Sequence, residues 1–404
     1  MKKLLLSLIY AILICSMLLS VISCNSGDTT PTDAPTDAPT DAPTDAPTDK
    51  PTEKPTEKPT DAPKDEPDEP DEPENLKART YSISDDWENF KYIGRIGDVD
   101  GGVFCDFTAS GIEFAGKMVG DVMVTLACDR VTYFTVFIDG ERVEERLRVT
   151  SADKELVIAS FEQEGEHHIR FLKQTEPQWS LCVLKEVKLT GELGDAPAKR
   201  DYLIEFVGDS ITCGYGNLGD SSTQSPGSAP WEDGTKTYAF LAAEALGADA
   251  TVIGCSGIGI DKGWTSFSEK DFYPAASYYR NKTELYYNNT NVPDLVVINL
   301  GTNDQSRGST EEAFKAGVRS LIEDIRYFYG EDMPIVWAYN MMGNGRFDWT
   351  RTVLADMGGE EAGLYSVELI QNGAGGGGHP NLESQITAGE QLTKFITDKG
   401  LLTK

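Results

Sequence analysis

Histidine is scarce in this chain, with three in 404 residues: His167, His168 and His379. Cysteine is hardly commoner, with seven residues and no Cys-x-x-Cys spacing. No His, Cys and carboxylate cluster has metal-ligand spacing, so neither a metal site nor any other cofactor is expected. Positive charge is also in deficit, 36 Lys and Arg against 66 Asp and Glu, a net charge of −30. Nothing here could neutralise a run of phosphates, so no nucleic-acid partner is expected. The Gly-x-Ser-x-Gly elbow of α/β-hydrolases is missing as well, which argues against that fold's version of serine catalysis.

What is present begins with an address. Lys2 and Lys3 precede an apolar run from Leu4 to Ile22, closed by Ser23-Cys24. A charged start, an apolar stretch and a small residue describe an export signal. The cysteine directly after that small residue resembles the lipobox of bacterial lipoproteins. The resemblance implies that residues 1–23 are removed and that Cys24 carries the lipid, anchoring the protein at the cell surface without a membrane span. Setting Cys15 and Cys24 aside leaves Cys105, Cys128, Cys182, Cys213 and Cys255. That odd number suggests buried thiols, with one bridge in the first domain left open.

Residues 24–77 repeat Pro-Thr-Asp-Ala and Pro-Thr-Glu-Lys before drifting into Asp-Glu-Pro. With almost nothing apolar to bury, they are expected to form a disordered linker, a stalk reaching on the order of 100 Å at about 3.1 Å per residue. Between 78 and 193 short runs alternate, with Asp139-Gly140 as a hairpin signal, and a jelly-roll β-sandwich is expected. From 198 to 404 strands alternate with helices, which predicts a three-layer α/β domain with a mostly parallel sheet. Within it the pattern predicts helices at 236–246 and 382–398, and Ser309-x-x-Glu312 as a capping box opening a third.

Three strings in this second domain carry chemistry: Gly208-Asp-Ser-Ile-Thr212, Gly301-Thr-Asn-Asp304 and His379-Pro380. The first two follow apolar runs, where open α/β sheets place their sites. Serine, an asparagine amide and histidine supply a nucleophile, an oxyanion donor and a base. His167 and His168 are adjacent on a strand and point to opposite faces, so they cannot share a ligand. His379 is then the base by elimination. Ser256, in Gly254-Cys-Ser-Gly257, is a rival nucleophile. Taken singly, each residue also has a plain reading: Ser210 as a helix cap, Asn303 as a turn residue, His379 as part of a glycine-rich surface loop.

Together the strings resemble the SGNH, or GDSL-like, hydrolases. The resemblance implies Ser210 as nucleophile and His379 as base, with an oxyanion hole from the Ser210 and Gly257 N–H groups and the Asn303 amide. Phe137-Ile-Asp-Gly140, Gly165-Glu-His-His-Ile169, Leu172-Lys-Gln-Thr-Glu176 and Glu205 to Gly216 are similar to carbohydrate esterase family 2. That likeness implies removal of O-acetyl groups from plant cell-wall polysaccharides such as xylan and glucomannan. Many SGNH hydrolases carry an aspartate three residues before the histidine, where this chain has Gly376. A Ser–His dyad is therefore expected, with Asp348, Asp356 and Glu383 left open as orienting carboxylates. Among the loop aromatics Tyr215, Trp231, Trp264 and Trp349, Trp231 and Trp264 are favoured as sugar platforms. The alternatives are an SGNH esterase for another acyl ester and a non-catalytic carbohydrate-binding surface lipoprotein.

Overall fold

The computed structural model describes residues 76–286 and 291–403. The leader, Cys24 and the repeat region up to residue 75 lie outside them. The first half is built from ten strands: β1 (Ala78–Ser82), β2 (Lys91–Ile93), β3 (Ile96–Val99), β4 (Gly102–Cys105), β5 (Gly111–Cys128), β6 (Thr132–Ile138), β7 (Glu141–Arg142), β8 (Leu147–Val149), β9 (Glu155–Lys173) and β10 (Cys182–Leu193). They join in one antiparallel sheet along the path β3-β4-β10-β5-β9-β6-β7, with β1 on β10, β2 on β5 and β8 on β6. Asp139 and Gly140 turn β6 into β7 with φ of 53° and 88°, as an Asp-Gly hairpin requires. In the outer part of β5, alternate residues point inward, so Val122, Val124 and Leu126 share a core with Phe134, Phe171 and Val187. Register shifts between Met118 and Gly120 and between Val122 and Met123 interrupt the long β5–β9 ribbon and let it bend around that core.

The second half contains β11 (Tyr202–Gly208), β12 (Ala248–Gly254), a small hairpin of β13 (Ala275–Ser277) and β14 (Lys282–Leu285), then β15 (Leu295–Asn299), β16 (Ile335–Tyr339) and β17 (Leu364–Glu368). Its helices are α1 (Ser210–Cys213), α2 (Tyr238–Ala245), α3 (Glu269–Phe272), α4 (Tyr278–Asn281), α5 (Thr302–Arg307), α6 (Glu311–Tyr329), α7 (Phe347–Asp356) and α8 (Leu382–Lys399). A five-stranded sheet of order β12-β11-β15-β16-β17 is parallel throughout. Ile204 and Phe206 of β11 pack with Tyr238, Leu392 and Ile396 of α2 and α8. Val207, one residue on, packs with Phe314, Leu321 and Ile325 of α6. Alternation along a strand buried on both faces thus makes the three layers. The chain leaves β11 to one side for β12 and returns to its other side for β15, so the order reverses there and a crevice opens at the carboxyl ends.

Two local expectations are corrected. The N-cap of α6 is Thr310, whose hydroxyl accepts from Ala313 N at 3.3 Å. Ser309 lies one residue outside and its hydroxyl bonds Asp261 instead, so the Ser309/Glu312 capping box does not form. The helix predicted at 236–246 spans Tyr238–Ala245, because Gly234–Lys236 forms a separate 3-10 turn capped by Asp233.

The two halves are not independent bodies: Ile93, Phe137 and Leu172 of the β-domain lie in the same core as Phe240 and Ala239 of α2. Arg142 reaches the fully buried Asp233 across the junction at 2.7 Å. The five described cysteines are buried and unbridged. No described helix is long and apolar enough to cross a membrane.

Candidate active site

The crevice at the ends of β11, β12 and β15 holds a cleft of about 300 Å³ lined by Gln178, Ser210, Tyr215, Ser256, Gly257, Trp264, Asn303 and His379. Asp209 caps α1, its Oδ1 accepting from Ile211 N at 3.0 Å, which places Ser210 on the first helical turn. His379 follows the glycine turn 375–378 and precedes the Asn381 cap of α8. Gly376 N donates to Gly216 O at 2.9 Å. The backbones abut so closely that a Cβ on Gly216 would stand 2.5 Å from Gly376 O. That contact ties the histidine turn to the segment following the serine. His379 Nε2 lies 2.8 Å from Ser210 Oγ, and the Tyr215 ring covers the imidazole with centroids 4.4 Å apart.

Burial pulls His379 down to about 4, opposed by the backbone at Gly377 and Gly376, which favours the protonated ring. The imidazole is therefore neutral near pH 7, as a base must be. Nδ1 makes no hydrogen bond of good geometry, and none of Asp348, Asp356 or Glu383 bonds to it. Asp209, buried beside Ser210, is pushed up to about 7, mainly by burial and further by Asp304 and Glu176.

Asn303 sits in the first turn of α5 and faces the cleft, but its amide is engaged. Nδ2 donates to Asp209 Oδ2 at 3.0 Å and to Ile258 O at 2.8 Å. Gly257 adopts φ 84°, a left-handed conformation suited to glycine, and its carbonyl accepts from Trp264 N at 2.7 Å. Ser256 lines the cleft, yet its Oγ has no hydrogen-bond partner. Trp264 is two-thirds exposed at the cleft, with the Arg307 guanidinium 4.5 Å from its ring. Trp231 ends the 3-10 turn Ala229–Trp231 and is not among the lining residues. Trp349 packs on Phe314 beneath Arg346. The other two histidines each hold a carboxylate, His167 with Asp139 at 2.9 Å and His168 with Glu113 at 2.7 Å.

Sequence reasoning missed the residues that the β-domain contributes. Glu176, fully buried, accepts from Ser256 N at 2.6 Å. Gln178 Nε2 donates to Glu176 Oε2 at 3.0 Å and to Ser256 O at 3.2 Å. Behind them Glu232 accepts from Glu176 N at 2.6 Å and from Trp179 Nε1 at 2.8 Å. Burial raises both carboxyls, and at Glu232 the neighbouring Glu176 adds to the rise. The available signal was the largely polar stretch Gln174-Thr-Glu-Pro-Gln178 directly after β9.

Residues 206–369 match the GDSL-like Lipase/Acylhydrolase family, residues 92–197 the Carbohydrate esterase 2 N-terminal family, and residues 30–67 the PT disordered repeat. The chain is 29% identical over 330 residues to the Cellulase/esterase CelE of Acetivibrio thermocellus, covering 76% of this chain and 39% of that one. It thus spans well under half of that relative's length. It is 28% identical over 263 residues to an Acetylxylan esterase / glucomannan deacetylase of Cellvibrio japonicus, covering 59% of this chain and 71% of that one. Among solved structures, a family two carbohydrate esterase from Clostridium thermocellum, in complex with cellohexaose, aligns with TM-score 0.68 and 29% identity over 78% of this chain and 100% of that one. Together these likenesses span both halves of the described chain and agree with its β plus α/β architecture.

Proposed function

Starting from a carboxylic ester hydrolase of the carbohydrate esterase class, we propose that this chain removes O-acetyl groups from plant cell-wall polysaccharides through a Ser–His dyad. The observation that carries the reading is the 2.8 Å contact between His379 Nε2 and Ser210 Oγ inside the cleft. His379 takes the proton of Ser210 as Oγ bonds to the acetyl carbon and the carbonyl oxygen becomes an oxyanion. The Ser210 and Gly257 N–H groups face that charge. Asn303 joins them by turning one amide hydrogen away from Asp209. Each such donor contributes about 3 kcal/mol in the transition state. The C–O bond to the sugar then breaks, its oxygen taking the proton from His379. A water deprotonated by the same histidine releases acetate and restores Ser210.

The dyad reading is supported by the Nδ1 side of the ring, which no carboxylate reaches and which faces the Gly376 and Gly377 backbone. A cleft of about 300 Å³ suits a short acyl group. The xylan and glucomannan assignment is supported by the substrates that the Cellvibrio relative's name carries, and Trp264 offers the apolar platform a sugar face needs. We read the β-domain as a jelly roll and the chain as tethered to the cell surface through Cys24.

The test is acetate release from acetylated xylan, acetylated glucomannan and an aryl acetate, by the protein and by Ser210→Ala. The substitution is expected to abolish release from all three. Release that survives it removes Ser210 from the mechanism, and failure of the parent protein on every ester, with polysaccharide binding retained, supports a display role instead.

A further inference from the structure

The β-domain reaches the cleft through Glu176 and Gln178. Glu176 lies just beyond the end of β9, is fully buried, and receives Ser256 N at 2.6 Å, one residue before Gly257. The same carboxylate oxygen accepts from Gln178, whose amide also holds Ser256 O, so both backbone polar groups of Ser256 are gripped from the other domain. Glu176 is itself fixed. Its N–H goes to Glu232, and its carbonyl is one of the acceptors for the buried Lys173 ammonium. On the far side of Gly257, its carbonyl is pinned by Trp264 N. A peptide held at both ends in a left-handed turn has little freedom in where its N–H points.

We propose that Glu176 is a positioning residue for the oxyanion-binding N–H of Gly257, so that the β-domain is part of the active site rather than an appended module. The argument rests on the esterase reading above and deepens it. A buried carboxylate is costly to keep unless its hydrogen bonds are used, and this one is placed on the backbone next to a proposed oxyanion donor.

Glu176 is not among the residues lining the cleft, so its signature is a selective loss of transition-state binding. Misplacing a donor by about 1 Å costs on the order of a hundredfold. Glu176→Ala is therefore expected to lower kcat for an aryl acetate by about that factor with KM changed less than threefold. It should also weaken binding of a trifluoromethyl ketone, which mimics the tetrahedral state, by the same factor. Glu176→Gln keeps an acceptor of the same shape and is expected to recover most of both. Should Glu176→Ala fail to fold, Gln178→Ala carries the test, with a smaller parallel fall in kcat and ketone affinity.

An active parent with a Glu176→Ala variant of unchanged kcat overturns the inference and leaves the esterase reading standing. So does a fall in kcat with no fall in ketone affinity, or a Gln variant no better than Ala. A parent that hydrolyses no ester overturns both.

Discussion

Two neighbouring strands of the central sheet end alike and do opposite things. β11 and β12 run parallel with Gly208 opposite Gly254, and each closes on Gly-x-Ser: Gly208-Asp-Ser210 and Gly254-Cys-Ser256. The residue between glycine and serine separates their fates. Asp209 can accept a backbone N–H and does so, turning the chain into α1 and presenting the Ser210 hydroxyl. A cysteine thiol is a weak acceptor and caps nothing, so after Ser256 the chain passes through the left-handed Gly257 into a loop. There we propose that the Gly257 backbone N–H serves the cleft. Remote segments complete the difference: His379, 169 residues on, meets the hydroxyl of Ser210, and Glu176, 80 residues back, meets the amide of Ser256. A serine in such a sheet takes its role from what is brought against it.

Removing the partner of the first serine should have the largest effect. His379→Ala is expected to lower kcat for an aryl acetate by on the order of 10⁴-fold, because nucleophile and base act as a unit. Imidazole added to the buffer should restore part of it, since the vacated space is still bounded by Tyr215. A variant that keeps a tenth of the activity would break the contrast, leaving Ser210 with no more help than Ser256.

The pH profile sharpens the same contrast at smaller amplitude. Only neutral imidazole can accept the serine proton, so activity falls as pH drops through the ring's pKa. Burial sets that value near 4 instead of the ordinary 6.5. At pH 4.5 a ring titrating near 4 is about three-quarters neutral, while an ordinary one is about one per cent neutral, a difference of about 75-fold. The acid limb of kcat/KM should therefore lie near pH 4. A limb at 6 to 7 would mean that a carboxylate or water supports the ring after all.

Much of this was legible in advance where local chemistry decides. Apolar runs ending in Gly-x-Ser or Gly-Thr-Asn marked the strand ends, and the scarcity of histidine singled out His379. Three things were not legible. The N-cap of α6 fell one residue late because Ser309 found Asp261, a partner from another loop. The Asn303 amide looks free in sequence, yet it is engaged by Asp209, 94 residues earlier. Glu176 could not be read as part of the site, since its meaning lies in a backbone N–H contributed by a different domain. In each case a polar side chain has several chemically equal partners along the chain, and only tertiary packing selects one.

The smallest predicted effect is the most pointed test of the comparison. In Ser256→Ala the backbone N–H that Glu176 receives is untouched, and the hydroxyl removed has no partner. Deleting an unsatisfied buried polar atom costs little and can relieve a desolvation penalty. Activity on an aryl acetate should therefore stay within about threefold of the parent, measured beside Ser210→Ala. A loss greater than tenfold, with the fold intact by circular dichroism, would mean the hydroxyl itself takes part. The two strand ends would then share the chemistry instead of dividing it into nucleophile and oxyanion support.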